Sequence, residues 1–155
     1  MSPSAPDTLR VACAVEGEGY VAHCAAMLHS LLVGNASSPV RVDYLHGADT
    51  SASGRAKLRS MVEAMGAEIV FQSVPDSWVR GLPTKDFTRK ATWYRLFLPD
   101  LLPDAQRVIY LDADLLVLDS IGDFEVAVRE SDEGLVELVA RGEPLPVDGD
   151  PRAGI

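Results

Sequence analysis

Short apolar runs alternate with segments of helical spacing along the first half of the chain. The run Leu9–Val15 is bounded by polar residues and predicts a buried strand. A turn at residues 16–19 follows, and apolar residues then recur at helical spacing over residues 20–32. The alternation of residues 40–45 and the apolar segment 67–74 predict two further strands.

The interval between the second and third strands carries the signals of an amphipathic helix. Its apolar residues recur three and four positions apart from Leu58 to Met65. Ser51 or Ser53 can cap its first turn, and Gly66 can end it. Strands that alternate with helices predict an α/β fold whose mostly parallel sheet has helices on both faces. Because ligands of such sheets bind beyond the carboxyl ends of strands, the turn at residues 16–19 is expected at the edge of a site.

The rest of the chain is predicted to hold a loop, a helix and a strand before its pattern changes. Residues 76–86 are typical of a loop, and residues 87–98 predict a helix that ends before Pro99. Residues 108–111 predict a strand that runs directly into Asp112. The expected organisation is therefore a disordered N-terminus, one α/β domain and a flexible C-terminal segment. Their ranges are residues 1–8, 9–128 and 129–155.

Composition and charge argue against several classes of partner. The 155 residues are 47% apolar and 24% charged, as in a soluble globular domain. The net charge is −9 and Lys and Arg form no cluster, so a nucleic acid is not an expected partner. The chain has neither the pattern of a signal peptide nor a run long enough for a transmembrane segment, which predicts a cytoplasmic location. Cys13 and Cys24 lie in apolar surroundings and are predicted to be buried thiols.

Two aspartates follow the last predicted strand. Asp112 and Asp114 are two positions apart, and such side chains point the same way in an extended segment. Both carboxylates can then reach one hard cation, Mn²⁺ or Mg²⁺. The alternative is a chance match, because the chain holds a second Asp-x-Asp at Asp148 and Asp150, in a segment with no strand to orient it. The strand before the first copy favours a metal site there.

Three blocks of sequence around these aspartates resemble family 8 glycosyltransferases, the group that includes bacterial lipopolysaccharide galactosyltransferases and glycogenin. Residues 91–96, ATWYRL, are similar to the helix that precedes the family's metal-binding strand. Residues 107–117, RVIYLDADLLV, are similar to its Asp-x-Asp block, and residues 9–32 to its first strand, turn and helix. The order and spacing of the three blocks are more specific than any one motif.

This resemblance implies a GT-A type fold and a retaining transfer of sugar from a nucleotide donor, usually a UDP-sugar, with Mn²⁺. The acceptor would be a glycan, a lipid-linked sugar or a protein. Asp112 and Asp114 would be the metal ligands. The residues that would contact the donor are Ala14, Val15, Glu16, Tyr20, Arg95, Asp112 and Ala113.

The donor-binding assignments also have plainer interpretations. Arg95 can pair with a phosphate or orient an aspartate, or form only a surface salt bridge. Tyr20 begins a helix whose N-terminus favours anions, or simply packs in the first turn. Glu16 can accept a hydrogen bond from a base or ribose, or belong to a solvated acidic turn. Trp78 and Trp93 are expected to pack against loops.

The chain also departs from the family pattern. Its first turn is one residue longer, with Glu16 where the family usually has Asp. The family's third metal ligand is a histidine well after the Asp-x-Asp, whereas His23, His29 and His46 all precede it and are expected on a helix face or a loop. The sequence therefore predicts a C-terminally truncated member.

Two further interpretations stay open at this point. The first is a truncated nucleotide-sugar-binding fragment without turnover. The second is a haloacid-dehalogenase-type phosphatase, whose first motif also places Asp-x-Asp after an apolar strand, with a nucleophile followed by a general acid. Those phosphatases usually carry Gly-Thr after the pair and place it near the N-terminus, whereas Leu115 and Leu116 follow here.

Overall fold

A computed structural model of the chain describes residues 8–84 and 89–121, together with the backbone of two strands beyond them. The chain divides into two units, Met1–Gly122 and Asp123–Ile155. The first unit holds strands β1 to β4 and helices α1 to α5. Their bounds are β1 Leu9–Val15, α1 Val21–Gly34, β2 Val40–His46, α2 Ala52–Ala64, β3 Glu68–Ser73, α3 Asp76–Val79, α4 Lys90–Tyr94, α5 Leu98–Leu101 and β4 Ile109–Tyr110.

The four strands of the first unit form one parallel sheet in the order β3-β2-β1-β4. The predicted α/β class with a parallel sheet is confirmed. From β1 the chain adds β2 and β3 on one side and then returns to place β4 on the other side of β1. The order of strands therefore reverses between β1 and β4, and the carboxyl ends at such a switch point are where open α/β sheets bind ligands.

Strand β1 is apolar and buried from Val11 to Val15 because both of its faces are covered there. Val11, Cys13 and Val15 belong to a core cluster that includes residues of α1 and α2. Ala12 and Ala14 alternate with them and belong to a second cluster, which includes Tyr94 of α4. The alternation assigns successive residues to opposite faces of the sheet, and it confirms helices on both faces.

Both ends of α2 have the features that the sequence predicts, a serine cap before the helix and a left-handed glycine after it. The Ser51 hydroxyl accepts a hydrogen bond from the Gly54 amide at 2.9 Å, so Ser51 and not Ser53 is the capping residue. Gly66 has a φ of 80°, the left-handed conformation in which glycine is favoured after a helix. Helix α1 begins at Val21, after a short 3₁₀ turn over Glu18–Tyr20.

The segment between β3 and β4 differs from the prediction. The predicted loop contains the short helix α3, and the helix predicted at residues 87–98 is helical from Lys90 onward but continues past Pro99 to Leu101. In the described residues from 89 onward, α4 passes into a 3₁₀ turn, Arg95–Phe97, and then into α5. Pro99 lies in the first turn of α5 and does not end a helix, because a first-turn amide has no partner within the helix.

The second unit contains one described feature, a pair of antiparallel strands, β5 Val126–Glu130 and β6 Val136–Ala140. The pattern of the sequence does not predict this pair. The predicted disorder of residues 1–8 and the second Asp-x-Asp, at residues 148–150, fall on residues outside the described part, apart from Thr8. Within the described residues, no helix is long and apolar enough to cross a membrane.

Candidate functional site

A cavity of about 330 Å³ opens at the carboxyl ends of β1 and β4, the switch point of the sheet. Every residue predicted from the sequence to bind donor or metal lines this one cavity. These residues are Ala14, Val15, Glu16, Tyr20, Arg95, Asp112, Ala113 and Asp114. Four more lining residues were not predicted: Arg89, Ala91, Thr92 and Tyr110. Its size is within the range of small-molecule sites.

The two aspartates reach the cavity from a turn, which corrects the expectation of an extended strand. Strand β4 ends at Tyr110, the Leu111 amide still donates to the Ala12 carbonyl at 2.9 Å, and a turn begins at Ala113. Ala113 is buried against the core, whereas Asp112 and Asp114 are exposed. The small buried residue therefore separates two carboxylates that both line the cavity.

Arg95 is held beside the first aspartate by three contacts. Its Nη2 donates to Asp112 Oδ1 at 3.0 Å, and its Nε donates to the Thr92 carbonyl at 3.0 Å. Its guanidinium lies 4.6 Å from the centre of the Tyr110 ring, a cation–π distance. Of the two interpretations from the sequence, the contacts favour a guanidinium that orients an aspartate. Its ion pair is partly exposed, so we expect a small contribution to stability.

Tyr110 forms the cavity wall beneath that guanidinium. Burial raises the pKa of Tyr110 well above its usual value, and the nearby Arg95 charge opposes this shift only in part. The hydroxyl therefore stays protonated at neutral pH and can donate a hydrogen bond. The available signal was its place at the end of the predicted strand, two positions before Asp112.

The two glutamates of the turn after β1 accept hydrogen bonds from different helices. Glu16 lines the cavity, and its Oε2 accepts a hydrogen bond from the Ala91 amide in the first turn of α4 at 3.3 Å. Glu18 instead accepts from the Ser51 amide at the start of α2 at 3.2 Å. Hydrogen bonds from Ser51 lower the pKa of Glu18. Each carboxylate therefore satisfies an otherwise unpaired amide at a helix N-terminus.

Tyr20 lies directly before α1 and lines the cavity. It is 36% exposed, and the Arg89 guanidinium lies 5.4 Å from the centre of its ring. The residue was predicted from the helix start, but its neighbour Arg89 was not. No local pattern marks Arg89, because the contact joins residues from two separate turns.

The tryptophans pack against loops and helices outside this cavity, as expected. The Trp93 indole donates to the Pro83 carbonyl at 3.0 Å. The Trp78 ring centre lies 5.1 Å from that of Phe97.

The histidines and cysteines lie apart from the aspartates. His23 and His29 are exposed on α1, but His46 is the buried last residue of β2, so its predicted place on a loop or helix face is wrong. Within residues 8–84 and 89–121, no group of three His, Cys, Asp or Glu side chains is arranged to hold a metal. Cys13 and Cys24 are buried free thiols with sulfur atoms 3.7 Å apart. The two aspartates that line the cavity are therefore not joined there by a histidine or cysteine of the described residues.

Comparison with known proteins identifies related sequences and structures. General stress protein A of Bacillus subtilis (strain 168) is 28% identical over 122 residues, which is 76% of this chain and 42% of that protein. A structure described as galactosyltransferase LgtC in complex with donor and acceptor sugar analogs is 26% identical, with a TM-score of 0.66. The alignment covers 73% of this chain and 40% of LgtC.

A more distant structure supports the fold alone. The glycosyltransferase GlyE of Streptococcus pneumoniae TIGR4 is 23% identical, with a TM-score of 0.55, over 79% of this chain and 28% of GlyE. The chain thus spans less than half the length of the relatives described here. The sequence model of the family described as Glycosyl transferase family 8 matches residues 12–126, which include both aspartates and every lining residue of the cavity. The chain therefore belongs to glycosyltransferase family 8.

Proposed function

We propose that the cavity binds the diphosphate of a nucleotide-sugar donor, a UDP-sugar, together with Mn²⁺ or Mg²⁺ at Asp112 and Asp114. In the whole protein this half-site would serve a retaining transfer of the sugar to an acceptor. One observation carries the proposal: two carboxylates, a guanidinium and the turn after β1 line a single cavity at the switch point of the sheet. Family membership favours this function over the phosphatase alternative.

The residues present fit a hard divalent cation. Such ions take one or two protein carboxylates and fill their remaining positions with phosphate oxygens and water. Asp112 Oδ1 accepts from Arg95, and the Asp114 carboxylate lines the same cavity, so both aspartates are placed to offer oxygen atoms to one cation. When bound, the ion would offset the charge that builds on a departing diphosphate.

The chain's own residues have distinct parts in this proposal. Arg95 positions Asp112, and Glu16 joins the first turn to the helix that precedes Arg95. Ala14 and Val15 line the cavity where β1 ends, so their backbone contributes to its floor. Contacts to the donor sugar and the acceptor are expected in the part of a family member that this chain does not match.

Titration calorimetry with UDP, with and without Mn²⁺, tests the site. We expect Mn²⁺ to strengthen UDP binding, and Asp112→Asn and Asp114→Asn each to remove that increase. Asp100→Asn is the matched control, because it removes the same charge from an exposed residue of α5 outside the cavity. UDP binding that is independent of Mn²⁺, or unchanged in both cavity variants, would contradict the assignment.

Turnover is tested separately from binding. Release of free sugar from a UDP-sugar in the presence of Mn²⁺ distinguishes an active transferase from a chain that only binds the donor. Metal-dependent binding without any hydrolysis or transfer would favour the non-catalytic fragment.

A further inference from the structure

The charges that line the cavity create a problem for an anionic ligand. Three carboxylates line it, those of Glu16, Asp112 and Asp114, against the two guanidinium groups of Arg89 and Arg95. A diphosphate carries negative charge and is repelled by carboxylates at short range, and salt screens exposed charges only in part. Besides the proposed metal ion, an arginine whose charge is not already paired with a carboxylate of the protein would favour its binding.

The positive charge of Arg95 is already paired with a carboxylate of the protein. Its guanidinium forms an ion pair with Asp112 and a further hydrogen bond with the Thr92 carbonyl, so two of its nitrogen atoms are already engaged. A phosphate that bound this guanidinium would have to compete with Asp112, the aspartate that Arg95 orients. Its positive charge is largely offset before a ligand arrives.

Arg89 differs in every one of these respects. It makes no ion pair with the residues that the structure describes, and its side chain is exposed on the cavity wall. Its backbone is held in place, because its carbonyl accepts from the Thr92 amide at 3.0 Å in the first turn of α4. Its guanidinium rests against the Tyr20 ring, with 5.4 Å to the ring centre. Stacking on an aromatic face leaves the edge nitrogens of a guanidinium able to donate hydrogen bonds.

We propose that Arg89 is the phosphate-binding cation of this cavity, held for that task by the ring of Tyr20. Guanidinium groups bind phosphate through paired, charge-assisted hydrogen bonds. This inference rests on the proposed function, because it assigns a contact to the diphosphate of the same ligand. It adds a residue that the sequence pattern did not identify, and a source of positive charge besides the metal.

The test compares a ligand with a diphosphate and one without. UDP is titrated in the presence of Mn²⁺ by calorimetry, and uridine by NMR chemical-shift changes, with the wild-type chain and three variants. Arg89→Gln removes the cation, and Arg89→Lys keeps the charge without the paired donors. Arg59→Gln is the matched control, because the Arg59 guanidinium also lies over an aromatic ring, 5.1 Å from the centre of Phe71, but outside the cavity.

We expect Arg89→Gln to weaken UDP binding roughly tenfold, the effect of losing a hydrogen bond to a charged group, and to leave uridine binding unchanged. Arg89→Lys should recover part of the loss, and Arg59→Gln should match the wild type. The proposal is overturned if Arg89→Gln binds UDP within twofold of the wild type. Equal losses for UDP and uridine also overturn it, because Arg89 would then act through Tyr20 and not through phosphate.

Failure of the proposed function gives a different result. A wild-type chain that binds no UDP even with Mn²⁺ refutes the donor site and the role of Arg89 together. A wild-type chain with metal-dependent UDP binding that Arg89→Gln leaves intact refutes only the role of Arg89. Thermal unfolding of each variant verifies its fold, which we expect to be unaffected because Arg89 and Arg59 are exposed.

Discussion

Replacing Gly47 by alanine is expected to destabilise the domain through one rigid contact. Gly47 directly follows β2, and a Cβ atom there would lie 2.5 Å from the Tyr94 hydroxyl oxygen and 3.0 Å from Asp49 Oδ1. Asp49 can rotate away, but Tyr94 is 1% exposed and its ring is enclosed by the second core cluster. Overpacking a rigid core costs about 1–3 kcal/mol, and we expect Gly47→Ala to lower the free energy of unfolding by that amount.

Urea unfolding followed by circular dichroism measures this loss, and two further variants isolate its cause. Tyr94→Phe removes the hydroxyl, so the Gly47→Ala/Tyr94→Phe double variant should recover most of the stability that Gly47→Ala loses. Gly19→Ala is the control, because no atom outside its chain neighbours lies within 4 Å of a Cβ at Gly19. If Gly47→Ala is as stable as the wild type, or the double variant is no better than Gly47→Ala, the clash with Tyr94 is not the cause.

Two other residues give predictions about stability. Asp43 is fully buried and accepts from Arg10 Nε at 2.7 Å, so Asp43→Asn, which leaves the nearly buried Arg10 with only the exposed Asp104 as a counter-ion, should cost about 3 kcal/mol in urea unfolding. Glu18 has a pKa below the usual 4.5 because of hydrogen bonds from the residue that caps α2, so its stabilising effect is present above pH 4.5 and is lost as the pH falls through the lowered value. Thermal unfolding from pH 6 to pH 3 should therefore change less in Glu18→Gln than in the wild type, and parallel curves would contradict the prediction.

The sequence predicts the first half of the fold well because its signals are local. Strand β1 is apolar from Val11 to Val15 because both faces are covered, and this run is visible in the sequence without any partner. The start of α2 is marked by Ser51, whose hydroxyl accepts from an amide only three residues away. The turn at residues 16–19 was expected at the edge of a site, and the Asp-x-Asp block supplied residues that line the cavity.

The residues that the sequence did not reveal depend on contacts between distant parts of the chain. The helix expected at residues 87–98 tightens to a 3₁₀ turn at Arg95–Phe97, and Arg95 pairs with Asp112 across 17 positions. The Arg89 guanidinium lies over the Tyr20 ring, and the buried Asp43 pairs with Arg10. Periodicity and capping rules describe neighbours within a turn or a strand, so they carry no information about such pairs.

The structure also explains why the spacing of the two aspartates matters although they do not lie on an extended strand. Ala113 is 7% exposed and packs against the core, so a larger side chain there would displace the turn. With Ala113 turned inward, the residues on each side of it are directed to the cavity, and Arg95 restrains Asp112. A chance Asp-x-Asp requires neither a buried middle residue nor a neighbouring guanidinium, so these two features support the proposal that Asp112 and Asp114 bind a metal.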